Sequence, residues 1–154
     1  MVGQEASDQK AERAIRWACI GTGHIAMAMA QQLSRLPGAR REAICSASGK
    51  PAAAIENIRA QCGYARALTF DELIADGDVD IVYVASANSA HAAHCLAALR
   101  AGKPVLCEKP LTLSLAEAEE IIAEAVRPLH THDSSIYAQA VNIHSKYSFL
   151  CARA

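Results

Sequence analysis

Apolar residues along this chain fall into two alternating patterns. Short, nearly continuous runs read as strands, and longer stretches with apolar residues every third or fourth position read as helices with one buried face. The first run holds Ile15, Trp17, Ala18, Cys19 and Ile20, which predicts a strand over 15–20. Ala28, Leu33 and Leu36 then recur among good helix formers, which predicts a helix over 24–36, stopped by Pro37-Gly38. A second strand is expected over 42–46. Ser48-Gly49-Lys50-Pro51 turns the chain into a helix reaching about Cys62, with Gly63 just past its end. Residues 65–69 predict a short third strand, and Thr69, ahead of Asp71, is the expected cap of a short helix around Leu73. Asp76-Gly77-Asp78 is a turn.

The run over 79–85, with Ile81, Val82, Tyr83 and Val84, has the character of a central parallel strand. A helix over 89–100 is expected next, with Asn88 or Ser89 as its cap, an apolar face of Ala92, Cys95, Leu96 and Leu99, and Gly102 at its end. Residues 104–107 predict a fifth strand. Ser114 with Glu117 three residues later forms a capping-box pattern. It opens a helix whose expected apolar face is Leu115, Ala118, Ile121 and Ile122. Strands alternating with helices predict an α/β domain built on a doubly wound parallel sheet with right-handed crossovers.

The pattern fades after Val126. Pro128 breaks the helix, 130–135 is polar, 136–142 fits a strand or a poor helix equally, and 142–154 has no clear period. The expected organisation is a flexible leader over 1–13, one domain over 14–126, and a tail over 127–154 too short to be a domain.

Composition narrows the class. The 154 residues suit one domain, and at 52% hydrophobic they suffice for a core. The formal net charge of −1, with both signs spread along the chain, gives no footprint for nucleic acid or a membrane surface. The first residues lack the apolar segment of a secretory signal, and no stretch is long and apolar enough to span a bilayer. The six cysteines form no C-x-x-C pair, and Cys19, Cys45 and Cys107 fall within expected strands. That usage predicts a reduced, cytoplasmic chain rather than a disulfide scaffold. No set of ligands with metal-site spacing emerges: His130 and His132 lie in an irregular segment, and His91 and His94 lack a matching carboxylate.

Candidate chemistry centres on Gly21-Thr22-Gly23-His24-Ile25-Ala26, between the first strand and the first helix. In that context Gly21 serves the sharp turn, Gly23 leaves room for a pyrophosphate, and Ala26 lets helix and strand pack closely. The helix N-terminus offers free N–H groups to the phosphates. The sheet is therefore expected to be of Rossmann type, with a nicotinamide dinucleotide as cofactor; an ordinary tight turn is the plain alternative. No acidic residue ends the second strand, where one would bind the adenosine ribose. Ser46-Ala47-Ser48-Gly49-Lys50 stands there instead, which favours NADP over NAD. Lys50 as a simple solvated lysine is the competing reading. Two further clusters are expected at the same sheet edge. Ser86 and Asn88-Ser89-Ala90-His91 follow the central strand; an amide and an imidazole there would hold ribose or nicotinamide groups, or merely start a helix. Glu108-Lys109-Pro110 follows the fifth strand. Lys109 would supply charge or exchange a proton with a substrate hydroxyl, with Glu108 holding it. Pro110 restricts its backbone and allows a cis bond. A surface Glu-Lys pair is the plain alternative.

Taken together, the glycine turn after Ile-Arg-Trp, the Val-Asp-Ile-Val-Tyr-Val-Ala strand with Asn88 and His91, and the Ala101-to-Pro110 segment resemble the Gfo/Idh/MocA oxidoreductase family. The resemblance is to its N-terminal nucleotide-binding domain, over 14–125. The Arg-Trp beginning is most similar to the dihydrodiol dehydrogenase and glucose–fructose oxidoreductase branch. The resemblance implies reversible hydride transfer between nicotinamide and a secondary alcohol of a sugar, inositol or related polyol. It implies that Lys109 is catalytic, with Glu108 and Pro110 beside it and Asn88 and His91 in the cofactor pocket. Ala87 stands where many members have proline, and His24 where arginine or lysine is frequent.

Members of that family continue into a second α/β domain, and this sequence ends before one. The loss of pattern near Arg127 predicts a truncated or out-of-frame product, which the other frames of the coding DNA would test. Three functions compete: an NAD(P)-dependent oxidoreductase or its cofactor half, a non-catalytic nucleotide-binding module, and a nonfunctional fragment. Substrate identity and oligomeric state carry no sequence signal.

Overall fold

In a computed structural model, residues 13–126 and the strand at Leu150–Ala152 are described. The element order is β1 (Ile15–Ile20), α1 (His24–Leu33), β2 (Ala39–Cys45), α2 (Ala52–Cys62), β3 (Arg66–Ala67), α3 (Phe70–Ala75), β4 (Ile81–Val84), a 3₁₀ turn (Asn88–Ala90), α4 (His91–Arg100), β5 (Val105–Cys107), α5 (Leu115–Ala125) and β6 (Leu150–Ala152). They form one sheet in the order β3-β2-β1-β4-β5-β6. The first five strands run parallel, and β6 pairs antiparallel with β5. Strand order reverses between β1 and β4, the position at which open α/β sheets hold their ligands.

Alternate side chains of the central strands enter two cores. Trp17, Cys19, Ile44, Tyr83 and Leu106 pack with Met29 and Leu33 of α1 on one face. Ala18, Ile20, Val82, Val84 and Val105 pack with Leu73, Cys95, Leu99 and Ile121 on the other. Burial on both faces is the reason these strands are apolar at every position.

Several boundaries differ from the sequence expectation. α1 ends at Leu33 rather than at 36, where the Ser34 amide returns to the Ala30 carbonyl at 3.0 Å. β2 begins at Ala39 rather than at 42. Its polar opening is satisfied by residues distant in sequence. Arg41 donates to the Cys62 carbonyl at 2.6 Å, and Glu42, only 4% exposed, pairs with Arg40 at 2.8 Å and Arg66 at 2.9 Å. The β1–β2 register shifts here, with Trp17 opposite Arg41 but Ala18 opposite Ala43. Glu42 is the extra residue of that bulge.

Thr69 caps α3 in a full capping box with Glu72, and Gly63 ends α2 in the left-handed conformation at φ 69°. Ser114 accepts the Glu117 amide at the start of α5. Neither Asn88 nor Ser89 caps α4. They lie in the 3₁₀ turn, and α4 starts at His91 with no side-chain cap. The expected apolar face of α5 is only half right. Ile121 and Ala125 are buried, whereas Leu115 is 75% and Ile122 58% exposed. β6 adds an antiparallel strand that the periodicity did not signal. The expectations for 1–12 and for 136–142 lie outside the described residues.

Candidate functional site

The hydrogen-bond ladder of the sheet continues past the strands into the loops. Gly21 N–H donates to the Cys45 carbonyl at 2.9 Å, Ala85 N–H to Ile20 at 2.8 Å, and Glu108 N–H to Val84 at 2.9 Å. The chain therefore leaves β2, β1, β4 and β5 side by side, and the three sequence clusters meet along one sheet edge.

The two glycines of the first turn have different physical roles. Gly21 lies at φ +135°, and a Cβ there would come within 2.3 Å of the Ala85 carbonyl oxygen. Its missing side chain is what lets the exit of β1 run against the exit of β4. Gly23 has an ordinary extended backbone, φ −85° and ψ 178°, and a Cβ there would meet nothing within 4 Å. The space before Gly23 is open to a ligand. α1 begins there with no side-chain cap and no acidic residue in its first turn. Its leading N–H groups and the positive end of its dipole remain available to an anion.

That space belongs to a cleft of about 330 Å³. Gly21, Thr22 and Gly23 form one wall, Ser46, Ala47, Ser48 and Lys50 a second, and Ala85, Ser86, Ala87, Ala90 and His94 a third. No carboxylate is among these lining residues, and Lys50 brings a positive charge. The Ser46 and Ser48 hydroxyls share a hydrogen bond of 3.0 Å.

Six of the residues singled out from sequence thus come together: Gly21, Thr22, Gly23, Ser46, Lys50 and Ser86. His24 is exposed at the start of α1, Ile25 is half-buried, and Ala26 is fully buried beneath the helix, as close helix–strand packing requires. Asn88 is exposed in the 3₁₀ turn, outside the lining. Lys109 and Pro110 are exposed where the chain leaves β5, and the peptide between them is cis.

Two others sit behind the site rather than in it. Glu108 is 6% exposed. One carboxylate oxygen accepts the Tyr83 hydroxyl at 2.6 Å, and the other accepts the Lys109 amide at 3.2 Å. Burial, and then this acceptor, push the Tyr83 hydroxyl pKa well up, so it stays a donor. His91 is 1% exposed, with Nδ1 2.7 Å from the Pro110 carbonyl and Nε2 3.1 Å from the Ser86 carbonyl. Both side chains act on the backbone of the site loops instead of facing the cleft.

Two residues of the site escape a sequence reading. Tyr83 reads as core; the signal was a lone hydroxyl in an apolar strand, which needs a partner when buried. His94 lines the cleft, with Nδ1 2.8 Å from the Ser86 hydroxyl and its ring centroid 4.9 Å from that of Phe70. Burial, and then the charge of His91, lower its pKa. Its spacing one turn beyond His91 was the available signal.

Cys19, Cys45, Cys62, Cys95 and Cys107 are free and buried. Burial pushes the Cys45 thiol up to about 12, far from the range of a reactive thiolate. Among the described residues no three metal-ligating side chains converge. No helix there is long and apolar enough to cross a membrane.

Comparison with known proteins agrees with this geometry. Trans-1,2-dihydrobenzene-1,2-diol dehydrogenase of Xenopus laevis is 34% identical over 117 residues, covering 73% of this chain and 34% of that protein. 1,5-Anhydro-D-fructose reductase of Ensifer adhaerens is 39% identical over 111 residues, covering 71% and 32%. The crystal structure of a probable dehydrogenase from Thermotoga maritima superposes with a TM-score of 0.64 at 33% identity, covering 71% of this chain and 32% of its own. The chain spans about a third of the length of the curated relatives it matches. A profile described as "Oxidoreductase family, NAD-binding Rossmann fold" matches residues 15–129. With the glycine turn, the sheet reversal and the cleft in place, the chain belongs to the Gfo/Idh/MocA oxidoreductase family and carries its NAD-binding Rossmann domain.

Proposed function

We propose that the cleft takes NADP in preference to NAD, and that the chain is the cofactor-holding part of an oxidoreductase acting on a sugar- or polyol-like alcohol. One observation carries the preference. The wall that follows β2 has Ser46, Ser48 and Lys50 and no carboxylate. A carboxylate there would bind the ribose hydroxyls of NAD and repel a 2′-phosphate; two hydroxyls and an ammonium accommodate the phosphate. The fit of a dinucleotide rests on Gly23, whose bare Cα faces open space beside the uncapped start of α1.

When bound, the dinucleotide supplies the hydride donor or acceptor for interconverting a secondary alcohol and a ketone. The chain's own residues have separate tasks. Amides of the 21–26 turn hold the pyrophosphate, and Ser86 and Asn88 reach its ribose or nicotinamide end. Lys109 exchanges a proton with the substrate hydroxyl or stabilises its oxygen by charge. Glu108, fixed by Tyr83, holds the Lys109 amide. Relatives named for 1,5-anhydro-D-fructose and for a dihydrobenzenediol support a polyol-like substrate.

Fluorescence titration with NADPH and NADH tests this reading, followed by a turnover assay on a polyol panel. Tighter NADPH binding is expected. Equal or tighter NADH binding overturns the preference, and binding of neither overturns the site.

A further inference from the structure

We infer that His91 is a positioning residue held as an imidazolium, whose two ring N–H groups tie the Lys109 turn to the loop that carries Ser86. The hydrogen-bond stereochemistry leads there. Nδ1 lies 2.7 Å from the Pro110 carbonyl oxygen and Nε2 lies 3.1 Å from the Ser86 carbonyl oxygen. A backbone carbonyl only accepts, and a neutral imidazole has one N–H and one lone pair. Either neutral tautomer therefore turns a lone pair onto a carbonyl oxygen. At 1% exposure no solvent relieves that contact. The doubly protonated ring satisfies both partners with an N–H donor each.

The surroundings fit a cation. From the exit of β5, the buried Glu108 carboxylate holds the amide of Lys109, the residue before Pro110, so an anion and the imidazolium hold adjacent residues of one turn. From β4, the Tyr83 hydroxyl donates to that carboxylate. On α4 itself, His94 follows one turn later, its pKa lowered first by burial and then by repulsion from His91. Lys109, on the tied turn, is exposed to solvent. Cys95 of α4 and Cys107 of β5 are buried free thiols.

The two carbonyls belong to different walls of the site. Ser86 lines the cleft where the chain leaves β4, and Pro110 follows Lys109 where it leaves β5. The imidazolium sets the spacing between them. Its consequence for chemistry rests on the role proposed for Lys109; its protonation state does not.

The test is nitrogen-15 NMR of the full chain labelled at histidine, without cofactor, from pH 6 to 9. The His91 ring is assigned by its loss in His91→Gln and by correlation to its own backbone in the native chain, so the assignment survives if that variant does not fold. At pH 7 both His91 ring nitrogens are expected in the protonated range. When the ring finally loses a proton, the amides of Ala87 and Leu111, each bonded to one of the two carbonyl carbons, are expected to shift with the same midpoint. A single neutral tautomer at pH 7 overturns the inference, and so does a His91 titration that leaves both amides unmoved. Failure of NADPH to bind would sink the proposed function and leave this result standing.

Discussion

Replacing Gly23 with alanine separates ligand geometry from fold stability. The backbone at Gly23 suits any L-residue, and the new methyl meets no protein atom within 4 Å. Restricting the unfolded chain stabilises by about 0.4–1 kcal/mol at a compatible site. Alanine is a poorer helix cap than glycine by a comparable amount. The two effects offset to within about 1 kcal/mol, so the melting temperature should move by less than about 4 °C. The same methyl stands where the pyrophosphate is proposed to lie. Overpacking there costs about 1–3 kcal/mol, an affinity loss of about 5- to 150-fold. Gly21→Ala is the control. Its Cβ would sit 2.3 Å from a backbone oxygen at φ +135°, so overpacking and backbone strain together cost about 2–6 kcal/mol. That is a large part of the stability of a domain this size. The assay pairs thermal melts followed by circular dichroism with NADPH titrations. A folded Gly23→Ala chain that binds NADPH like the native one would refute the placement of the phosphates. A Gly23→Ala chain that melts like Gly21→Ala would refute the division of roles.

Other consequences are open to measurement. Ser46→Asp should weaken NADPH binding tenfold or more and leave NADH binding unchanged or tighter; titration with both cofactors decides. Tyr83→Phe removes the 2.6 Å hydroxyl bond from a buried carboxylate, and a loss of about 1.5–3 kcal/mol is expected in urea unfolding; an unchanged midpoint would contradict the linkage. Ile121→Ala should cost about 2–5 kcal/mol, and Ile122→Ala less than about 1, because the first is 1% and the second 58% exposed; equal costs in the same unfolding assay would refute the packing of α5. His94 is held below the ordinary histidine range by burial and then by the charge at His91. The unfolded chain therefore takes up this proton first as pH falls. The stability from this group is intact above about pH 6.5 and is lost as pH drops through the lowered folded value. Melts between pH 7.5 and 5.5 should fall less steeply in His94→Gln than in the native chain.

The sequence by itself determined the order of the five parallel strands and the helices between them. Strands covered on both faces must be apolar at every position, so Ile81 to Val84 announced a central strand without any partner in view. Thr69 as the cap of α3 and Ser114 with Glu117 were legible because caps join near neighbours. Contacts between distant residues were not. The start of β2 stayed hidden because Arg40, Arg41 and Glu42 find their partners on Arg66, on the Cys62 carbonyl and on one another. Sequence named both glycines of the first turn, but only the position of Ala85 shows that one is a steric necessity and the other an open door. His91 read either as a ligand-facing imidazole or as a plain first-turn residue until the carbonyls of Ser86 and Pro110, 5 and 19 residues away, were seen to claim both of its nitrogens. Periodicity reports which face of an element is buried. The partner waiting on that face is decided when the sheet brings separate strand ends together.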